Sequence, residues 1–437
     1  MKTVVENLNP RNVPAKAVKL FPAFIGFFFS FRLFSVLLTT HVLNADPQTG
    51  VMLSLGLNYI LLALVVFHSI GNAPRTLASI TRLPCYRWVL CFLGFSGCSL
   101  IWSTTSSLPA AVAFWCAMAA DLAMVILLLR IDAAIDMSSS IMKGYVYGAC
   151  SIAIIAWIMP AQSDLRLGDD EFLGPNQIGY TCAFAVFFAQ YLMRAEQGRW
   201  RVPAAFLAIT LLRSLSKTTI FAFVVGEAVI FMWDKSIRRK TKLVLLLSTI
   251  LIVVIFWGLL ASYYDVYINA GNQAESLTGR FGIWAYILDK SLDQPWIGHG
   301  FHSVWKVIPP FGGEQFEARH AHNELLQQFY AYGVTGIILL SALYGNFFRQ
   351  IKKLPKSPLR ALLLGLLVFV VVRGFADTEA FDLSLPLWAI AMFSAIMAEF
   401  HTNNSITPSS SFERQTAPPE LDNETFGQTK EAYDNPR

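Results

Sequence analysis

The residues best equipped for chemistry form one dense segment and a scatter of cations. Arg319-His-Ala-His322-Asn323-Glu324 puts two imidazoles, a guanidinium, a carboxamide and a carboxylate into six positions. A neutral imidazole, with an ordinary pKa of about 6.5, can take a proton from a hydroxyl. Asn323 could orient that imidazole or the hydroxyl-bearing ligand, and a helix opening here would favour an anionic group. A helix-capping cluster is the plainer reading of the same residues. Gly333 and Gly336, further along, allow a neighbouring backbone to come close. The cations are Arg166, Arg213, Lys217, Arg280, Lys290, Lys306, Arg319 and Arg373. Arginine forks match phosphate oxygens and lysine supplies a point charge, so an anion such as a pyrophosphate is the natural ligand for such a set. Each one alone could equally snorkel to lipid headgroups. Lys217, Arg280 and Arg319 together favour the anion.

The elements that must position these residues are membrane helices. Of 437 residues, 55% are hydrophobic and only 14% charged, against roughly 25% charged in a soluble domain. That excludes a soluble enzyme, a disordered chain and a collagen-like fibre. Taking about 20 apolar residues per span, the sequence predicts about twelve helices. They lie at about 20–39, 52–70, 88–104, 109–129, 142–159, 176–193, 202–214, 218–233, 243–261, 321–347, 359–374 and 384–400. The polar break Arg213-Ser-Leu-Ser-Lys217 either joins two short helices or interrupts one. The first span lacks a cleavable signal layout, since Arg32 interrupts it.

Lysine and arginine in short loops mark the cytoplasmic side. The tail 1–19 and alternate loops are basic, the last of them with Arg349, Lys352, Lys353, Lys356 and Arg360. Both termini are therefore expected in the cytoplasm. A polytopic domain would cover 20–400, with an outer loop at 262–320 between helices nine and ten. The eight cations named above then lie on the outer side, against the usual bias. Residues 401–437, rich in Ser, Thr, Pro and Asn, read as a disordered cytoplasmic tail. The net charge of +5 follows this sidedness and does not signal nucleic acid. Five of the six cysteines (Cys91, Cys98, Cys116, Cys150, Cys182) lie in apolar runs and no C-x-x-C occurs, which argues against a disulfide framework. No metal is expected: His299, His302, His320, His322, Glu314 and Glu317 share one loop, but no pair has the spacing that puts two ligands on one helix face. Asp265, Glu275, Asp289, Glu379 and Asp382 read as solvated loop charge.

Four segments then carry a family resemblance: Gly174-Pro-Asn176-Gln-Ile-Gly179, Ser214-Leu-Ser216-Lys217-Thr218, Thr278-Gly-Arg280-Phe-Gly-Ile-Trp284 with Gly298-His-Gly300-Phe301, and His322-Asn323 with Gly333 and Gly336. In order and position the chain resembles the O-antigen ligase and polymerase superfamily over about 20–400. The resemblance implies an all-α, GT-C-like membrane glycosyltransferase without metal or cofactor. Its donor would be an oligosaccharide on undecaprenyl pyrophosphate, and its active site would face the periplasm from the bacterial inner membrane. Lys217 and Arg280 would hold the pyrophosphate and His322 would activate the acceptor hydroxyl. Arg319 is added from its neighbourhood. Lys217 stands where ligases usually have Arg, and Arg213, one turn earlier, could substitute.

Within the superfamily, polymerisation of exopolysaccharide or O-antigen repeat units is the preferred reading, with ligation to lipid A-core close behind. Partners would be the lipid-linked glycan, the acceptor glycan or lipid A-core, the bilayer and other polysaccharide assembly proteins. The aromatics Phe301, Trp305, Phe311 and Phe316 are available to stack on sugars. A lipid-linked oligosaccharide flippase would need ionisable residues deep in several helices, and Arg32 is the one clear case. A non-catalytic export subunit would have no use for the histidine and cation set.

Overall fold

A computed structural model of the chain describes residues 19–71, 84–160, 166–168, 173–196, 199–255, 257–258, 261–262, 264–265, 277–305, 307, 320–378 and 383–405. Arg319, Glu275, Lys306, Phe311, Glu314, Phe316, Glu317, Glu379 and Asp382 lie outside them, as does the tail from 406. The described residues up to Glu399 form one compact unit.

The described residues are helical, with no strand among them. Each of the twelve apolar stretches overlaps a helix. These are α1 (Leu20–Phe31) with α2 (Leu33–Leu37), α3 (Pro47–Gly71), α4 (Pro84–Cys98), α5 (Leu108–Ile131), α6 (Ala134–Ile158), α7 (Pro175–Glu196), α8 (Arg201–Arg213), α9 (Lys217–Trp233), α10 (Arg239–Ile255), α12 (Glu324–Lys353), α13 (Pro358–Gly374) and α14 (Ser384–Ser405). An additional helix, α11 (Leu277–Ser291), lies inside the expected outer loop. By length and composition α3, α5 and α6 can each cross a membrane, as can the bent pair α1–α2 and, taken over its whole length, α12. The chain is thus multi-pass. Its outer shell is apolar, with Phe67, Ile70, Ile158 and Val202 exposed, as lipid contact requires.

The core sits where α1, α6, α7 and α14 meet. Trp388 is fully buried there among Phe29, Tyr145 and Phe188, with ring centroids 5.2–5.8 Å away. The first expected span is bent by 53° at Arg32. The bend aims the guanidinium at buried Asp121, 2.8 Å away, and Ser384 Oγ donates to the same carboxylate at 2.7 Å. An intramembrane cation is tolerable when paired in this way. The one deep cation of the sequence therefore pairs with a buried carboxylate.

Two contacts position the site. Gly226 of α9 and Gly365 of α13 pack backbone against backbone: a Cβ on Gly226 would meet the Gly365 carbonyl oxygen at 2.9 Å. Small residues at a helix crossing allow this approach. The second contact changes the tenth expected helix. Gly333 has φ +61° and ψ −157°, so α12 is broken there. Glycine reaches that backbone region without a Cβ penalty, and a Cβ would meet Pro295 O and Trp296 C at 2.5 Å. The loop 295–300 fills the break. Val334 N–H donates to Pro295 O (2.8 Å), while His299 and Gly300 N–H donate to Tyr330 O and Ala331 O (2.9 and 2.7 Å). Tyr344 Oη reaches Glu324 Oε1 at 3.1 Å, twenty residues back. A straight helix would separate them by about 30 Å, so the short arm 324–332 folds back against 334–353. The sequence expectation of one span over 321–347 is corrected to two arms, because a left-handed glycine and a docked loop replace the helical hydrogen bonds.

Candidate functional site

The fold-back places the histidine segment beside the end of α13 and the start of α9. The helix begins at Glu324, so His322 lies before its first turn and not within it. Asn323 is the N-cap: its Oδ1 accepts from Leu326 N–H at 3.1 Å, and its Nδ2 donates to Phe375 O at 2.8 Å. One end of the carboxamide caps α12 and the other ties it to the end of α13. The cap stabilises by about 1 kcal/mol.

His322 is 5% exposed and has φ +51°. Its Nδ1 faces Asp377 Oδ1 at 3.5 Å, longer than an ordinary hydrogen bond. Among the described residues its Nε2 has no protein partner. Asp377, three residues beyond α13, is fully buried. Its other oxygen accepts from Arg373 Nη2 at 3.2 Å. Burial works to raise this carboxyl, but Arg373 first, then His322 and Arg280, hold it well below the ordinary carboxylate range. His320 lies against His322, with ring centroids 4.1 Å apart. Burial first, then the neighbouring His322, Arg373 and Arg280, keep His320 neutral, well below its ordinary pKa, against the pull of Asp377.

The cations converge on α9. Arg280, the fourth residue of α11, is 6% exposed. Its Nη1 donates to Thr218 Oγ1 at 3.1 Å and also to Ala376 O. Its Nε is buried without an acceptor, and no carboxylate lies in ion-pair range of it among the described residues. Arg373 Nε donates to Thr219 Oγ1 at 3.4 Å, and its guanidinium lies 3.8 Å over the Tyr180 ring. Adjacent hydroxyls in the first turn of α9 thus each hold one guanidinium, with Lys217 beside them. Ser216, the N-cap position of α9, makes no side-chain cap bond. The junction is two helices joined by a turn in which Leu215 has φ +55°. Leu215 and His322 are two of the four non-glycine residues with positive φ among those described. Such strain concentrates at functional sites.

The structure therefore brings Arg280, the Lys217 turn and His322 to one locality, through Thr218, Ala376 and Asp377. Arg213 ends α8, partly buried, one turn before Lys217. Sequence reasoning named Arg373 among the outer cations but left it, and Asp377, out of the site. Their i, i+4 spacing across the end of a helix was the available signal. His320, His322 and Asp377 offer ligand atoms within 4.8 Å of one another and could in principle hold a cation, although Arg373 and Arg280 oppose one electrostatically. His299 stacks on Tyr330 at 4.3 Å and shares a 3.0 Å hydrogen bond with Lys290 O. His302 is hydrogen-bonded to Thr105 Oγ1 at 3.1 Å. Neither belongs to the His320–His322 group.

Residues 202–341 match the O-antigen ligase family. The matched stretch holds Lys217, Arg280, His322 and the Gly333 break. An O-antigen ligase of Pseudomonas aeruginosa strain PAO1 is 24% identical over 338 residues, 74% of this chain and 79% of its own length. Both matches support the O-antigen ligase and polymerase superfamily that the four motifs resemble.

Proposed function

We propose that the chain is a glycosyltransferase of bacterial surface polysaccharide synthesis, moving a glycan from undecaprenyl pyrophosphate to an acceptor hydroxyl. One observation carries the reading: Arg280 is a buried guanidinium with no carboxylate in ion-pair range among the described residues, held at a helix start whose N-cap side chain makes no cap bond. A buried charge needs a counter-charge, and a substrate diphosphate supplies it. His322 Nε2 takes the acceptor proton while the acceptor oxygen attacks the anomeric carbon. The bond from that carbon to the diphosphate oxygen breaks, and the electron pair leaves with the diphosphate. Arg280, Lys217 and the first N–H groups of α9 stabilise that charge. Asp377 orients the imidazole and stabilises it once protonated.

The architecture proposed with this reading is GT-C-like, with about twelve spans over 20–400. The loop at 262–320 faces the periplasm, and the tails 1–19 and 401–437 face the cytoplasm. No metal or cofactor takes part. Arg319 and Arg213 are auxiliary cations, with Arg213 the stand-in should Lys217 not carry the role. For the acceptor, both sequence matches carry the name O-antigen ligase, which favours lipid A-core. Extension of repeat units is the second reading, favoured by the His322-Asn323 segment, which resembles polymerases as well. Purified protein would be given an undecaprenyl-pyrophosphate oligosaccharide, with and without lipid A-core. Product that requires lipid A-core means ligase; a ladder without it means polymerase. His322→Ala should lower either activity by about 10²–10⁴-fold. Unchanged transfer by both His322→Ala and Arg280→Gln would sink the reading.

A further inference from the structure

The start of α9 has a third guanidinium near it. Arg166 is 4% exposed, in the connection between α6 and α7. Its Nη2 donates to Asn176 Oδ1 at 3.3 Å. The same oxygen accepts from Ser216 Oγ at 2.7 Å, and Ser216 Oγ pairs with Thr219 Oγ1 at 2.8 Å. A hydroxyl has one proton. With Ser216 donating to Asn176, Thr219 donates to Ser216 and accepts from Arg373. Arg166, Asn176, Ser216, Thr219 and Arg373 therefore form one connected chain around the first turn of α9.

This chain explains the uncapped helix. A serine at the N-cap ordinarily accepts from the N–H two or three residues on. Here Ser216 is drawn to Asn176 on one side and to the Thr219 hydroxyl on the other, so its hydroxyl does not cap the first turn of α9. Elsewhere Ser107, Asn323 and Ser357 do cap their helices. A buried helix start without a cap leaves donors for a ligand. Buried Arg280, held by Thr218 in the same turn, adds a second donor without an acceptor, its Nε. Gly179 of α7 completes the closeness: a Cβ there would meet Ser216 Cβ at 3.1 Å.

We propose that Arg166, clamped by Asn176, is a further ligand of the same diphosphate. It would reach the open start of α9 from the α7 side while Arg280 reaches it from α11. The proposal rests on the glycosyl-transfer reading and adds a residue outside the matched stretch 202–341. Two guanidinia on either side of a helix start suit a group with two phosphates better than a single monophosphate, because each can hold a separate phosphate.

The test is calorimetric titration of the full-length detergent-solubilised protein with inorganic pyrophosphate. Wild type binds, and Arg280→Gln weakens binding. Arg166→Gln weakens it about tenfold, as expected for loss of one charge-assisted hydrogen bond. Arg166→His restores charge only when the imidazole is protonated. Relative to wild type at each pH, it binds more tightly at about pH 5.5 than at pH 8. A residue that only braced Asn176 would show no such gain. Wild-type affinity in Arg166→Gln, or an Arg166→His deficit equal at both pH values, overturns the role of Arg166 and leaves the transfer reading standing. No binding by wild type, or an unaffected Arg280→Gln, removes both.

Discussion

Asp377 and the two histidines form a small electrostatic machine whose pH response follows from their surroundings. The Asp377 carboxyl is held below its ordinary value of 3.8 by Arg373 and its neighbours, despite burial. Its contribution to stability is complete above that value and is lost as pH falls toward the folded-state value. Asp377→Asn should therefore lower the melting temperature most at neutral pH, and the gap to wild type should close below about pH 4. His320 behaves in the opposite sense of charge. The fold holds it neutral, so protonation favours the unfolded chain and stability falls as pH drops below 6.5. His320→Gln should flatten the loss of melting temperature between pH 6.5 and 5; a slope identical to wild type would show that His320 is not the group responsible.

At the scale of elements, the break in α12 is the device that delivers His322. Arm 324–332 is capped by Asn323, crosslinked to α13 through Phe375 and folded back at Gly333. Asn323→Ala should cost about 1 kcal/mol from the cap alone. Gly333→Ala should cost more, because it adds a backbone penalty of roughly 1–3 kcal/mol in a region essentially reserved for glycine to the collision with the loop at Pro295 and Trp296. Thermal unfolding in detergent reads both. If Gly333→Ala melts like wild type, the break is not needed. Helix α9 depends on its own crossing: the contact of Gly226 with Gly365 sets the height at which Thr218 and Thr219 meet their arginines.

For the whole molecule, the charge distribution makes a prediction about metal. The site sets Arg373 and Arg280 beside one buried carboxylate, Asp377, with Lys217 next to the hydroxyls that hold them, an arrangement suited to an anion. Transfer should continue undiminished in EDTA. Loss of activity that returns with a divalent cation would instead make His320, His322 and Asp377 a metal centre.

Much of this was legible in the order of residues. Composition and apolar runs locate the helices, because lipid contact demands about 20 apolar residues in a row. Lys217, Arg280 and His322 stand out because cations and a histidine recur at the ends of apolar runs. Charge alone could not separate members from neighbours. Asn323 stood out as a ligand, and the structure adds that it is a cap and crosslink; Asp377 was not singled out, yet it faces His322 from a fully buried position. The fold of α12 was equally out of reach, since an apolar glycine-containing run reads as one span whether or not it doubles back. That depends on hydrogen bonds with a loop some thirty residues earlier in the chain. Helix existence is set by local composition and was determined by the sequence itself. Which polar groups share a site is set by contacts between α7, α9, α11, α12 and α13, and only the tertiary structure decided it.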